Sequence, residues 1–323
     1  MLPHPGSGQQ IPPTDAVRIR EFYRLQLQIE DKIWPGWSQI PTPLLLVTAQ
    51  GEFLTRHPTP PSDFRRISPD FYWRQRSFPT DLLATFPAFG PPSVIVIGEP
   101  ESTSAKTSTP WLITLMHEHF HQLQNSQPEY YQAVEGLGLA RGDKSGMWML
   151  KYPFPYGEQG RVEAFDRLRS LLLNAVADSD PHSSGTSARQ YCDARKRFFA
   201  QLSSDDHKYL DFQLWQEGIA RYTQIEAAEL ARNFQPTPEY AALPDYESFA
   251  HYAAHARQDT LEELRRIDIR QSKRDVVYSW GAAEGLLLDR LDPGWHDEYF
   301  RHRFSLDAAF RAAEKQATVH SGP

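Results

Sequence analysis

The chain has 323 residues, of which 23% are charged, and its formal net charge at pH 7 is −7. This length allows one or two domains with a large core, and the acidic balance, without a Lys/Arg cluster, argues against a nucleic-acid partner. The longest apolar runs are only a few residues, so no membrane-spanning helix is predicted, and the single cysteine, Cys192, excludes an internal disulfide and a multi-cysteine zinc site.

The amino-terminal end is rich in Gly, Pro and Gln, and residues 1–14 are predicted to form a disordered tail. This end lacks the charged start and the apolar centre of a secretory signal. A cytoplasmic location is therefore favoured, and a periplasmic or secreted location is the alternative if a signal had been removed.

An amino-terminal subdomain is predicted over residues 15–110, and it begins with a helix. Apolar residues recur there at helical spacing, Phe22 and Ile29 among them. Asp15 can cap the start of this helix, and Pro35-Gly36 ends it.

Short strands are predicted in the same subdomain. They cover residues 44–47, 52–55 and 94–97. A turn at Gln50-Gly51 joins the first two, and the third is β-branched throughout. The Pro-rich stretch 57–92 is predicted to be irregular, with one short helix around residues 81–86.

The remainder of the chain, residues 111–323, is predicted to be mostly helical and to carry a metal site. Helices are predicted at 161–177, 187–202, 205–233, 245–267, 273–291 and 305–317, with Ser, Asp, Gly and Pro breaks between them. The expected fold class is α+β, with a small amino-terminal β-containing part packed on a mostly helical region.

The metal site is predicted from a His-Glu-x-x-His pattern formed by His117, Glu118 and His121. On a helix, residues four apart lie on one face, so the two imidazoles can bind one metal ion. The glutamate lies about 100° round the helix, from where its carboxylate can reach a metal-bound water. The alternative is a solvated helix on which the pattern occurs by chance.

The alternation of His117, His119 and His121 would also suit a strand, on which all three would point the same way. Two features favour a helix. Thr109-Pro110 is a typical helix start, with a capping hydroxyl and then a proline. The apolar residues that follow the helical rule are Leu112, Leu115, Met116, Phe120 and Leu123. His119 falls in the middle of that apolar side and is predicted to be a core residue.

Catalytic zinc usually has three protein ligands and a water. Gln124 and Gln127 stand where the extended form of the motif needs Gly and His, so that form is excluded. A glutamate from a later helix is the other common solution, and Glu217 is the best candidate because Gly218 beside it allows a close approach of a neighbouring helix. The weaker candidates are Glu135 and Glu163.

The segments His117–His121 and Trp215–Tyr222 resemble those of the gluzincin metallopeptidases, and they are most similar to the aminopeptidase-like branch. The resemblance covers roughly residues 94 to 291. It implies a zincin-like catalytic region with a Zn²⁺ ion bound by His117, His121 and Glu217. It also implies that Glu118 is the general base, and that the strand 94–97 or a neighbour binds the substrate backbone.

Three features depart from the family pattern. Gln216 stands where the aminopeptidases often have Asn, and Arg221 replaces the Asp with which thermolysin-like enzymes orient a histidine. The Gly-x-Met-Glu-Asn exopeptidase motif is missing from the sequence. The residues that orient the ligands are therefore not identified.

The sequence predicts a zinc metallopeptidase acting on a peptide or protein substrate. Tyr278 is the predicted donor to the oxyanion, with Tyr222, His251 and His255 as rivals. The alternatives are an inactive zinc-binding scaffold, against which Glu118 argues, and a zinc hydrolase of a non-peptide amide or ester. No nucleic-acid or membrane partner is expected, and no oligomeric state is indicated.

Overall fold

The computed structural model describes residues 10–180 and 184–319. The chain forms two compact units, each made of two stretches of sequence. The first unit comprises Met1–Pro128 and Thr223–Ala256, and the second comprises Glu129–Tyr222 and Arg257–Pro323. Most of the predicted disordered tail lies outside the described residues.

The secondary structure is a mixture of helices and strands in which helices are the majority. The elements up to residue 128 are α1 (Pro13–Ile33), β1 (Leu44–Thr48), β2 (Gly51–Thr55), β3 (Arg65–Arg66), β4 (Tyr72–Arg74), β5 (Leu83–Phe86), β6 (Val94–Gly98) and α2 (Ser108–Asn125). The later ones are α3 (Tyr130–Gly136), α4 (Trp148–Lys151), α5 (Gln159–Ala177), α6 (Ser184–Ala200), α7 (Ser204–Gln213), a π-helical turn (Leu214–Gly218), α8 (Ile219–Ala231), α9 (Pro238–Ala241), α10 (Phe249–Arg266), α11 (Ile269–Ser272), α12 (Val276–Leu291), α13 (His296–Tyr299) and α14 (Asp307–Val319). The predicted α+β class is confirmed.

The strands form one mixed sheet in the order β3-β4-β2-β1-β6-β5. β1 and β6 are parallel, and the other neighbours are antiparallel. The three predicted strands are confirmed as β1, β2 and β6. The short helix predicted around residues 81–86 is wrong, because this segment forms β5 and pairs with β6 along the edge of the sheet. Pairing with a neighbouring strand has overridden the local preference.

One helix packs on this sheet, and a second helix packs on the first. α2 packs on β5 and β6, and α1 packs on α2, where Trp34 stacks on Phe120 with ring centroids 4.9 Å apart. α1 begins at Pro13, so Asp15 lies inside its first turn and accepts a hydrogen bond from Arg18 at 2.6 Å. The prediction that Asp15 caps this helix is therefore wrong. Along the described residues, no helix combines the length and the apolarity needed to cross a membrane.

The predicted helices of the later chain are confirmed within a few residues at each end. The helix predicted at 205–233 is continuous, but the π-helical turn separates α7 from α8 within it. The short helices α3, α4, α9, α11 and α13 were not predicted.

Gly218 and Gly281 bring α12 against the π-helical turn of the second unit. A Cβ atom added to Gly218 would lie 2.5 Å from Cα of Gly281, and the reverse substitution gives the same distance. Because real Cβ atoms do not approach a backbone so closely, neither position accepts a side chain without movement of the helices. The prediction that Gly218 allows a close helix approach is confirmed.

We expect Gly218→Ala to lower the free energy of unfolding by about 1–3 kcal/mol, because the added methyl group overpacks a backbone contact. Gly160→Ala in α5 is the matched control, since a Cβ atom there meets nothing within 4 Å. It should be neutral or slightly stabilising. Denaturant unfolding of the two variants measures the difference, and an unchanged stability of Gly218→Ala would contradict the contact.

Candidate metal centre

The segment with the paired histidines is a helix, as predicted. α2 begins at Ser108 after an extended Thr107, two residues before the predicted start. Thr109 does not cap the helix. Its hydroxyl donates instead to the carbonyl of Glu247 at 2.5 Å, which ties the start of α2 to another stretch of the first unit.

His119 is a core residue, as predicted. Its side chain is fully buried, and its ring stacks on Trp37 with centroids 4.8 Å apart. Both ring nitrogens are engaged. Nε2 lies 3.0 Å from Oε2 of Glu30 and 3.1 Å from Nε2 of Gln26, and Nδ1 lies 2.9 Å from Oε1 of Gln122. His119 therefore belongs to a polar network of the core.

His117 and His121 lie together on the opposite side of α2. Their Nε2 atoms are 3.2 Å apart, and each residue is only 6% exposed. Zn–N bonds of about 2.0–2.1 Å at a tetrahedral angle would place two ligand nitrogens about 3.3 Å from each other. The spacing of these two nitrogens therefore fits a shared zinc ion.

Gln124 fixes the orientation of the His121 ring. Its Oε1 atom lies 2.6 Å from Nδ1 of His121, and the side chain of Gln124 is fully buried. Because Oε1 is an acceptor, Nδ1 carries the hydrogen and the lone pair of His121 is on Nε2, where a metal would need it. Sequence reasoning placed Gln124 on the correct side of the helix but gave it no role; its position three residues after a candidate ligand was the signal.

Glu118 completes the group in the first unit. One carboxylate oxygen of Glu118 and one imidazole nitrogen each of His117 and His121 lie within 4.8 Å of one another. Oε2 of Glu118 accepts a hydrogen bond from the Thr85 hydroxyl at 2.8 Å. Thr85 lies on β5, a strand that the sequence did not predict, so nothing in the sequence pointed to this contact.

The edge of the sheet lies beside this carboxylate. The Gly98 amide donates to the Leu82 carbonyl at 2.9 Å, and bonded pairs alternate along an antiparallel ladder. The backbone groups of Leu83 and Thr85 therefore point away from β6, toward the edge. Since β6 is paired on both sides, the edge strand is its neighbour β5.

Glu217 lies in the second unit, in the π-helical turn. Its Oε1 atom accepts a hydrogen bond from Nη2 of Arg274 at 2.7 Å. Arg274 also donates to Oε1 of Gln213 at 2.9 Å and to the hydroxyl of Tyr278 at 3.1 Å. Arg274 thus connects two residues that the sequence singled out, Glu217 and Tyr278. Its spacing of four residues from Tyr278 was the available signal.

Tyr222 has other partners. It is 2% exposed, and its hydroxyl donates to Oδ1 of Asp289 at 2.9 Å and lies 3.1 Å from Nε2 of His296. Its ring covers Gly285, where a Cβ atom would come within 2.7 Å. Tyr222 therefore packs α8 against α12 in the second unit.

The remaining candidates lie in exposed or partly exposed places. The side chain of His251 on α10 is 65% exposed, and its ring is 5.0 Å from that of His255. Glu135 is exposed, and Glu163 is an exposed acceptor for Gln159. None of these four has an environment that distinguishes it as a ligand or a donor.

A second group of possible ligands, His207, Asp211 and Asp307, lies in the second unit. Arg195 is bound to two of its members: it donates to Asp211 at 3.2 Å and also contacts Asp307. Arg195 further donates to the buried Glu284 at 2.7 Å. These carboxylates share one cation, so the group is an ion-pair network around Arg195.

This network gives the stability a pH dependence. Burial raises the pKa of Asp211 from 3.8 to about 6, and Arg195 opposes the shift. The contribution of Asp211 to stability is complete below about pH 4 and is lost as the pH rises through 6, because the folded chain holds a proton that the unfolded chain has released. We therefore expect the free energy of unfolding to fall over this pH range.

Asp211→Asn should remove that decline in the free energy of unfolding between pH 4 and 7. Denaturant unfolding at a series of pH values measures it as a difference from the original chain. Asp193→Asn on α6 is the control, because Asp193 is exposed. Parallel pH profiles of the original chain and Asp211→Asn would contradict the expectation.

The chain was compared with protein-family models, with curated proteins and with solved structures, and none of the three comparisons found a match.

Proposed function

We propose that this protein is a zinc-dependent hydrolase that cleaves peptide bonds. The observation that carries the proposal is the 3.2 Å separation of the His117 and His121 Nε2 atoms. Glu118 beside them supplies the base that hydrolysis needs. Glu217 stays the predicted third ligand, on the strength of its sequence pattern. Its position in a π-helical turn agrees with the frequent occurrence of such turns at functional sites.

His117, His121 and Glu217 would hold the zinc ion, which when bound would polarise the scissile carbonyl and lower the pKa of a water molecule. Glu118 would accept a proton from the attacking water and donate it to the leaving amine. Thr85 holds the carboxylate in place by donating to its Oε2 atom, which leaves the Oε1 atom to take the proton.

The substrate backbone is proposed to pair with β5. The outward-facing amide and carbonyl groups of Leu83 and Thr85 suit an extended peptide added as another strand. Thr85 would then serve twice, with its hydroxyl on Glu118 and its backbone on the substrate. Tyr278 stays the predicted donor to the oxyanion, and Arg274 positions it by donating to its hydroxyl.

A digest of a broad peptide library by the zinc-loaded chain tests the function. We expect cleavage that a chelator abolishes and added Zn²⁺ restores. Hydrolysis of amides or esters without peptide cleavage would identify the non-peptide hydrolase. A chain that binds zinc and hydrolyses none of these substrates would be the inactive scaffold.

We expect Gln124→Leu to weaken zinc binding by about 10–100-fold, because the His121 ring loses the acceptor that fixes its orientation. Gln122→Leu is the matched control. It removes the corresponding glutamine from His119 and should lower stability while leaving the zinc dissociation constant unchanged. Competition with a chromophoric chelator measures both affinities, and equal effects of the two variants would contradict the assignment.

A further inference from the structure

A cleft of about 450 Å³ lies in the first unit, between α1 and the segments that follow β2 and precede β4. Its walls include three arginines, Arg20, Arg24 and Arg56, and the apolar surfaces of Tyr23, Leu27 and Phe71. The volume lies in the range typical of small-molecule sites. No sequence pattern indicates this cleft, because α1 and the strand ends are distant in the chain.

The three arginines differ in whether they have an acidic partner. Arg24 is neutralised by Glu21, whose carboxylate lies 2.8 Å away. Within residues 10–180 and 184–319, no carboxylate lies within ion-pair distance of Arg20 or Arg56. Asp70, an exposed residue, is the acid of the cleft wall. In a chain with a net charge of −7, two unneutralised guanidinium groups at one cleft favour an anionic ligand.

The guanidinium group of Arg56 lies against an anchored aromatic ring. It lies over the Tyr23 ring, 3.5 Å from its centroid, and the Tyr23 hydroxyl is anchored by a 3.0 Å hydrogen bond to the Thr42 carbonyl. Stacking uses the face of the guanidinium group, whereas its N–H donors lie in its plane. The donors of Arg56 can therefore meet a carboxylate or phosphate without loss of the stacking contact.

The backbone of Arg56 supports the same interpretation. Its φ angle is 54°, in the left-handed region that residues other than glycine rarely adopt. Such a conformation costs on the order of 1 kcal/mol or more and is common at ligand clamps. Here it accompanies the placement of the side chain against Tyr23.

The apolar part of the cleft suits the body of an organic molecule. Leu27 is 66% exposed, the largest exposure among the exposed large hydrophobic residues described. Phe71, which is buried, also lines the cleft. A ligand that carries an aromatic or aliphatic body beside its anionic head would cover this apolar surface.

We propose that this cleft binds a small organic anion, with a carboxylate or phosphate head on Arg20 and Arg56 and an apolar body against Leu27 and Phe71. Such a site is separate from the proposed hydrolase chemistry, because its residues include neither the paired histidines nor Glu118. Removal of the anionic head and removal of the apolar body should each lower the affinity of the ligand for the cleft.

Titration calorimetry of the full chain with phenyl phosphate, benzoate, inorganic phosphate and benzyl alcohol tests the proposal. Phenyl phosphate should bind at least about tenfold more tightly than inorganic phosphate, because it also buries apolar surface. Benzoate should bind, and the neutral alcohol should not. Arg20→Gln and Arg56→Gln should each weaken phenyl phosphate binding by about tenfold or more. Arg167→Gln, an exposed arginine on α5, is the charge-matched control.

Three results would overturn the proposal. The first is no binding of either aryl anion at about 10 mM, a concentration that detects weak sites. The second is equal binding by the original chain and both arginine variants, which would place the anion elsewhere. The third is binding to phosphatidylglycerol vesicles without binding of the soluble anions, which would identify a lipid surface as the partner.

Discussion

Glu118→Gln is expected to lower the rate of peptide hydrolysis by about 10²–10⁴-fold while zinc stays bound, because an amide cannot accept the proton of the attacking water. Glutamine has nearly the same shape as glutamate, and its oxygen can still accept the hydrogen bond that Thr85 donates to Oε2. The substitution therefore removes the base with little change to the surrounding packing. The measurements are kcat/KM on a cleaved library peptide and zinc content by atomic absorption.

Thr85→Val is the companion variant, because it keeps the base and removes its hydrogen-bond donor. We expect a smaller loss of activity than for Glu118→Gln, with zinc content unchanged. Full activity of Glu118→Gln would show that another group is the base. Loss of zinc from Glu118→Gln would show instead that this carboxylate is a ligand.

The second large expected effect is a difference between the alanine substitutions of His119 and His121 in stability and in zinc binding. His119→Ala leaves the carboxyl group of Glu30 buried without its partner, which we expect to cost about 3–5 kcal/mol of unfolding free energy. His121→Ala removes one of the two proposed zinc-binding nitrogens, so zinc binding should be lost, and the zinc-free chain should be destabilised less than by His119→Ala. The two substitutions are chemically identical and lie two residues apart on one helix.

Denaturant unfolding of the zinc-free chains and zinc titration of the folded chains measure the two effects. We expect His119→Ala to lower stability more than His121→Ala does, and His121→Ala alone to abolish zinc binding. If His119→Ala abolished zinc binding in a folded chain, or if His121→Ala lowered stability as much as His119→Ala, the division of α2 into a core side and a metal side would be wrong.

That division could be predicted because it depends only on helical periodicity. The apolar residues of α2 define one side, and the angle of about 100° per residue places His119 on it and His117 and His121 opposite. The close helix approach at Gly218 could also be predicted from the sequence. A missing side chain next to a functional candidate indicates a close contact, even though the partner, Gly281, is distant in sequence.

The contacts that complete the site could not be predicted. Thr85 lies in a segment whose local pattern does not indicate a strand, and it reaches Glu118 only because β5 pairs with β6. Arg274 contacts Glu217 because a helix and a π-helical turn pack together at two glycines. Each contact depends on tertiary packing between distant segments, and the periodicity of a single segment gives no information about such packing.

The capping residues of two helices could not be predicted either. Asp15 and Thr109 are both typical capping residues, yet both lie inside their helices. Asp15 is held by Arg18, and Thr109 by the carbonyl of Glu247. A polar side chain near a helix start forms a hydrogen bond with the partner that the tertiary structure places beside it. Its residue type alone therefore does not locate the cap.

The central claim is that His117 and His121 share one zinc ion, and anomalous diffraction at the zinc absorption edge from crystals of the zinc-loaded chain tests it most directly. The expected result is a single strong peak about 2.0–2.1 Å from the Nε2 atoms of both histidines, with a carboxylate oxygen of Glu217 as the third protein ligand. A map with no peak between these two nitrogens, or with zinc bound only elsewhere, would contradict the claim.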